Sequence, residues 1–320
     1  MGNSTILRDK AADGGVIPPR SARRSGRRQK HGQWFYFSMQ MPSLLILLIV
    51  VVAPVIYSIQ LSFHSYSLVI PGKTGQWVGL ANYERLIQDA AFGNAILTTI
   101  IFVVSSVVLE TVIGTLVGIW LHRLKVFQRL VTSALLLPMI LAPLIVGLMF
   151  NFAFNAQFGY LTWILSGLGI GPTGGMLSQG STALVALIAA DVWEWFPFVA
   201  LMVVAGLRAL PTEPLEAAEI DGATTFQKYW LVVLPMLTPI LAVAVLFRTT
   251  EAVREFDKVY ILTGGGPGSS TVVNDLYQYR VSFANWDLSY GAALSLVTFV
   301  VIMALAAVMF HFLLRKDMRQ

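Results

Sequence analysis

Apolar positions in this chain do not alternate with polar ones over most of its length; they run on. Six stretches each hold about 18 or more largely apolar residues, enough to cross ~30 Å of hydrocarbon as helix. They lie at roughly 41–61, 95–121, 130–154, 181–207, 229–247 and 291–314. The first is uncharged throughout. The second is interrupted by Glu110, and the third contains Pro138 and Pro143. The fourth carries Asp191 and Glu194, and the fifth contains Pro235 and Pro239. The pattern predicts an all-α membrane protein with six transmembrane helices.

Composition agrees. Of 320 residues, 56% are hydrophobic and 12% charged, against about 25% charged in a soluble domain, and the mean hydropathy is +0.70. Cysteine is absent, which excludes disulfides, thiol catalysis and thiolate metal sites. His31, His64, His122 and His311 are far apart and form no metal-ligand pair. No cofactor or metal is expected. The net charge of +5 could suggest nucleic acid, but the basic residues concentrate beside apolar spans, as lipid orientation requires.

Arg20, Arg23, Arg24, Arg27 and Arg28 precede the first span, Arg123, Lys125 and Arg129 follow the second, and Arg315, Lys316 and Arg319 follow the sixth. The connection between spans three and four has neither Lys nor Arg. An excess of cations on the inner side then places both termini and the 208–228 segment in the cytoplasm. Residues 1–33 read as a disordered, basic cytoplasmic tail, and 34–320 as the membrane domain. The aromatic run Trp34-Phe35-Tyr36-Phe37 suits the interface at the start of span one.

The segment between spans four and five has its own local chemistry. Thr212 suits a helix N-cap, with Pro214 in the first turn and Glu213 and Glu216 complementing the positive helix start. Gly222 suits the position just past the helix end, where φ is positive. Thr224 and Gln227 have the spacing of a capping box for a second short helix. Leu215, Ala217, Ala218 and Ile220 offer a small apolar face.

Glu216-Ala217-Ala218, then Gly222, then Val232-Val233-Leu234-Pro235 resembles the EAA–G–I-x-LP signature of permeases in binding-protein-dependent ABC importers, with Val232 in place of the usual isoleucine. Asp191-Val-Trp193-Glu-Trp195-Phe-Pro197-Phe198 before it, and Phe256-Asp257 through Thr263-Gly-Gly-Gly-Pro-Gly268 after it, are similar to the carbohydrate branch of that family, the maltose and glycerol-phosphate permeases. The resemblance covers roughly residues 41–314.

The resemblance implies a type I importer permease fold, with a coupling loop at 208–232. Glu216, Ala217, Ala218, Gly222, Leu234 and Pro235 would engage a separate ATPase. It also implies a second homologous permease forming a heterodimer, two copies of the ATP-binding subunit, an external solute-binding protein and the lipid bilayer as partners. The pathway would run along the helices flanking the coupling loop. Asp191, Glu194, Trp195 and Phe198 lie before the loop; Arg248, Ala252, Glu255 and Asp257 lie after it. Carboxylates accept hydrogen bonds from hydroxyls and aromatic rings cover C–H faces, so a sugar or polyol is expected, with a phosphorylated polyol as the alternative because Arg248 and Arg254 could supply cations. Arg248–Glu251 and Glu251–Arg254 have pairing distance on a helix, and Glu110, isolated in sequence, is expected to find a buried structural partner. The four prolines inside spans could kink them. No GxxxxGK[ST] cradle exists, and Gly264–Gly268 lacks the following lysine, so the chain should not itself hydrolyse ATP. An ion-driven secondary transporter would show inverted repeats; none is evident.

Overall fold

Uninterrupted apolar runs become long helices. The computed structural model describes residues 26–72, 74–172 and 174–317, without side chains at 26–36, 74 and 312–317. It divides into two compact units between Ile56 and Tyr57. Helix α1 (Gly26–Leu47) continues through a widened turn at Leu48–Val52 into α2 (Ala53–Ser62). The helix start at Gly26 falls within the 1–33 segment expected to be a tail; the Arg and Lys of 26–33 are good helix formers running directly into an apolar helix. Residues 1–25 lie outside the described residues, as do the side chains of Trp34, Phe35 and Tyr36.

In the second unit a short antiparallel hairpin, β1 (His64–Tyr66) and β2 (Thr74–Trp77), pairs His64 with Trp77. It leads into α3 (Ala81–Gln88) and the long α4 (Ala90–Arg123). Asp89 caps α4, accepting from the amides of Ala91 and Phe92 at 2.9 and 3.2 Å. Its second oxygen accepts from the hydroxyls of Tyr277 and Tyr290, both at 2.5 Å. Burial alone would push this carboxyl up, but those hydrogen bonds outweigh it and hold it below its ordinary value.

The third expected span is not one straight helix. It is α5 (Gln128–Ile140) and α6 (Pro143–Ala153), bent at 94°. The break follows from Pro143, whose ring bars its predecessor from helical geometry: Leu141 and Ala142 are extended, with ψ of 141° and 138°. Pro138 lies inside α5 without ending it. Next come α7 (Tyr160–Gly167) and α8 (Gly180–Ala209), then α9 (Glu213–Ile220) and α10 (Thr225–Gln227). A widened, π-type turn at Lys228–Val233 precedes α11 (Leu234–Val253), and such turns absorb the hydrogen bond a proline lacks, here that of Pro235. Then follow α12 (Asp257–Leu262), α13 (Asn274–Tyr279) and α14 (Leu288–Asp317). Among the described residues five helices are long and apolar enough to cross a membrane, or six if the bent pair counts as one. Between α12 and α13 the glycine run forms a turn in which Gly264, Gly265 and Gly268 all have positive φ.

The core is built on α4 and α8, which lie side by side in parallel. A Cβ on Gly114 would come within 2.6 Å of Val199 Cβ, and one on Gly118 within 2.7 Å of the Ala200 carbonyl. The backbones meet because two glycines four residues apart leave a groove, the small-residue packing device of membrane helices. Phe102, Ala186, Leu187 and Ala190 fill the seam beside them and are buried. A Gly118→Val substitution therefore forces the helices apart and should cost on the order of 1–3 kcal/mol. A melting temperature in detergent lower than that of the parent, with Gly93→Val unaffected because open space surrounds Gly93, would check it.

Candidate functional site

Charged side chains on spanning helices are costly unless paired, and here they converge. Arg248 of α11 donates from Nε to Glu110 Oε2 at 2.6 Å and from Nη2 to Glu110 Oε1 at 2.9 Å. That fork is the bidentate arrangement that guanidinium and carboxylate geometry favour. Nη2 also reaches Asp191 Oδ2 at 3.1 Å. The other oxygen of Asp191 accepts from Lys258 Nζ at 2.7 Å. Lys258 Nζ also donates to Glu194 Oε2 at 2.5 Å and pairs with Glu255 Oε2 at 2.9 Å. Four carboxylates and two cations thus join α4, α8, α11, α12 and the link at Glu255. Glu110, Asp191 and Lys258 are fully buried, and Glu194 and Arg248 are 1% exposed. Lys258 reaches this depth because Gly147 on α6 lets α12 approach: a Cβ there would sit 3.2 Å from Lys258 Cα.

Glu110 has the buried structural partner expected of it. One other expectation is corrected. Arg248 does not pair with Glu251; it is drawn inward to Glu110 and Asp191, where desolvation makes an unpaired carboxylate most expensive, while Glu251 and Arg254 stay exposed. Both oxygens of Asp191 accept from Arg248 and Lys258, and Glu194 Oε2 accepts from Lys258. Ala252 is buried in the main apolar cluster, and Asp257 is exposed. The sequence reading missed the central role of Lys258. Its signal was the surplus of span carboxylates, which obliges the nearest cations to turn inward.

An aromatic row borders the network. The Arg248 guanidinium lies 4.4 Å from the Trp195 ring centroid. Trp195 meets Phe198 edge-on at 6.3 Å, and Phe198 meets Phe247 at 5.1 Å. Trp195 and Phe198 are half-buried and Phe247 is 43% exposed. Glu255 keeps 10% of its side chain exposed, the most accessible acid of the network.

The second candidate site is the loop after α8. Helix α9 ends in a Schellman turn: the Ala223 amide donates to Ala218 O at 2.9 Å and the Gly222 amide to Glu219 O at 3.1 Å, with Gly222 at φ +74°. A side chain at 222 would pay for that backbone. Thr224 and Gln227 form the expected capping box. Thr212 occupies the N-cap position of α9 but makes no side-chain capping bond. Glu216 and Ala217 are exposed and Ala218 half-buried. Ile220 and Phe226 are 86% and 74% exposed, Phe226 stacking on Trp230 at 6.0 Å. Of the two final motif residues, Leu234 is half-buried and Pro235 exposed.

A bundle of spanning helices carrying an exposed two-helix loop between its fourth and fifth spans defines a membrane permease subunit. Residues 110–320 match the family described as binding-protein-dependent transport system inner membrane component. The chain belongs to that family and is a multi-pass inner-membrane permease subunit of an ABC importer. It is 34% identical over 272 residues to the trehalose/maltose transport system permease protein MalF of Thermococcus litoralis, covering 85% of this chain and 91% of that one. It is 30% identical to the sn-glycerol-3-phosphate transport system permease protein UgpA of Agrobacterium fabrum, covering 77% and 83%. The fold matches a crystal structure of a bacterial ABC transporter that imports the acidic polysaccharide alginate, with a TM-score of 0.77 at 21% identity over 90% of this chain and 98% of that one.

Removing one partner from a buried ion network leaves an uncompensated charge and costs about 3–5 kcal/mol. Lys258→Met strands Glu194 and Glu255 and leaves Asp191 with Arg248 alone. Thermal unfolding of the purified protein should show a loss of that size, and Lys258→Arg should recover part of it.

Proposed function

We propose that this chain forms half of the pathway for ATP-driven uptake of a neutral sugar or polyol. In this reading both termini are cytoplasmic. The 208–232 loop seats in a groove on a separate ATP-hydrolysing subunit, present in two copies. The other half of the pathway is a second, homologous permease, giving a heterodimer, and an external solute-binding protein delivers the solute. The basic residues flanking the spans support the orientation. The exposure of Glu216, Ala217, Ile220 and Phe226 around a rigid glycine turn supports the docking role.

The observation that carries the substrate class is the committed state of the buried cations. Arg248 and Lys258 are already paired with carboxylates, and those acids would repel a phosphate brought to them. The half-exposed aromatic row of Trp195, Phe198 and Phe247, with the accessible edge of Glu255, suits C–H faces and hydroxyls instead. The trehalose/maltose relative supports this reading. A phosphorylated polyol, favoured by the glycerol-3-phosphate relative, would have to use the exposed Arg254. Asp191, Glu194, Arg248 and Ala252 act in this proposal as the frame behind the pathway, and Asp257 lies at its exposed margin.

The test is uptake by the whole transporter in vesicles. Trp195→Ala and Phe198→Ala should each raise the KM for sugar on the order of fivefold, the equivalent of about 1 kcal/mol of aromatic contact, with assembly unchanged. Competition by phosphorylated compounds alone, or loss of uptake on Arg254→Ala only, would reverse the substrate assignment.

Coupling has its own signature. Glu216→Lys reverses the charge offered to the ATPase, and Gly222→Pro abolishes the positive-φ turn. Both variants should reach the membrane and assemble, yet lose most transport while ATP hydrolysis persists. Uptake near the parental rate in both would remove the coupling assignment.

A further inference from the structure

From residue 130 to residue 190 the chain contains no Asp, Glu, Lys, Arg or His. Helices α5, α6 and the first part of α8 account for much of this stretch. The connection between them at 154–179 does not, because its described residues hold one eight-residue helix, α7, a short 3-10 turn at Met176–Ser178 and irregular backbone. A connection facing water ordinarily carries charge. This one carries aromatic and aliphatic side chains on its outside: Phe158 is 65% exposed, Tyr160 59%, Trp163 79% and Leu168 68%.

Helix α7 is apolar on both faces. Leu161 and Leu165, four residues apart, pack against the main core. Tyr160, Trp163 and Ile164 point away from it and are exposed. A short helix apolar all round needs a second apolar environment. Continuity shows which one. Leu144, Leu148 and Phe152 form an exposed i, i+4, i+8 stripe along α6, and the Phe152 ring meets the Phe158 ring at 6.2 Å. The outer face of α7 therefore continues the exposed apolar stripe of α6. Its Tyr and Trp are the residues enriched where hydrocarbon meets headgroups, and Ser166 is the polar residue among its exposed positions.

We infer that α7 and its flanks lie within the membrane interface as an in-plane wedge, with Phe158, Trp163 and Leu168 inserted among acyl chains and the occupant of this face being lipid. The wedge sits at the N-terminal end of α8, the end opposite the coupling loop. The uncharged character of the connection makes the interaction independent of headgroup charge.

The absence of cysteine makes the test clean. Single-cysteine variants Phe158→Cys, Trp163→Cys and Leu168→Cys, with Lys125→Cys as a water-facing control, are made in the full transporter, spin-labelled and reconstituted in phosphatidylcholine vesicles with or without phosphatidylglycerol. Labels at 158, 163 and 168 should collide with dissolved oxygen several-fold more than with a water-soluble nickel chelate. The label at 125 should show the reverse, and the anionic lipid should change neither. Preferential collision with nickel at 158 and 163 would show a water-facing loop and overturn the inference. Loss of collisions with both reagents would show a protein, the second permease or the binding protein, on this face and overturn it equally. Because the readout is the environment of an assembled protein, a variant that fails to assemble is replaced by the neighbouring exposed position, Ile164→Cys.

Discussion

A charge cannot remain unpaired at the depth of a bilayer, and that constraint organises this molecule. Glu110, Asp191 and Glu194 stand on two spanning helices whose own cations, Arg123 and Arg208, lie in the last turns. Arg248 and Lys258, remote in sequence, neutralise them, and each must be carried to them by the chain. The bend at Leu141–Ala142, the close approach at Gly147 and the short α12 together bring Lys258 in. Asp191 is the shared point, with one oxygen on each cation. Burying such a network is weak evidence for net stability, since apolar side chains can do as well. Its value lies in specifying a single arrangement of four elements.

The second constraint is distance of approach. Ion pairs between helices require backbones that stay close, and α4 and α8 stay close through Gly114 and Gly118. In lipid the hydrophobic effect does not hold helices together, so shape must do it. The glycine pair and the charge network lie on the same two helices and reinforce each other: one fixes the spacing, the other the register.

The spans were legible in the sequence because hydrophobic length is a signal that no tertiary context overrides. The loop after α8 was legible because its determinants are local: a glycine at the helix end and a threonine–glutamine capping pair depend on neighbours within a few residues. The 94° break between α5 and α6 was half legible, since Pro143 was visible but a kink and a full turn share that signal. The pairing of Arg248 was misread. Helical spacing offered Glu251, yet the energy of a desolvated carboxylate on another helix outweighs a solvated neighbour on the same one. The Gly114/Gly118 spacing was present in the sequence and is the kind of signal that could have indicated which two helices form the core. The depth of Lys258 had no local signal at all; it follows from the balance of charge over the whole bundle.

Helix α8 begins beside the interfacial segment and ends at the exposed loop, with 30 residues between, about 45 Å of continuous rod. Salt links at Asp191 and Glu194 and glycine contacts at Val199 and Ala200 anchor it on either side of Pro197. Considered as a mechanical part, it is a beam with a fulcrum. A tilt of about 6° about its midpoint displaces each tip by roughly 2 Å in opposite senses, given that length. Motion imposed at one end of such a beam would be delivered to the other with its direction inverted.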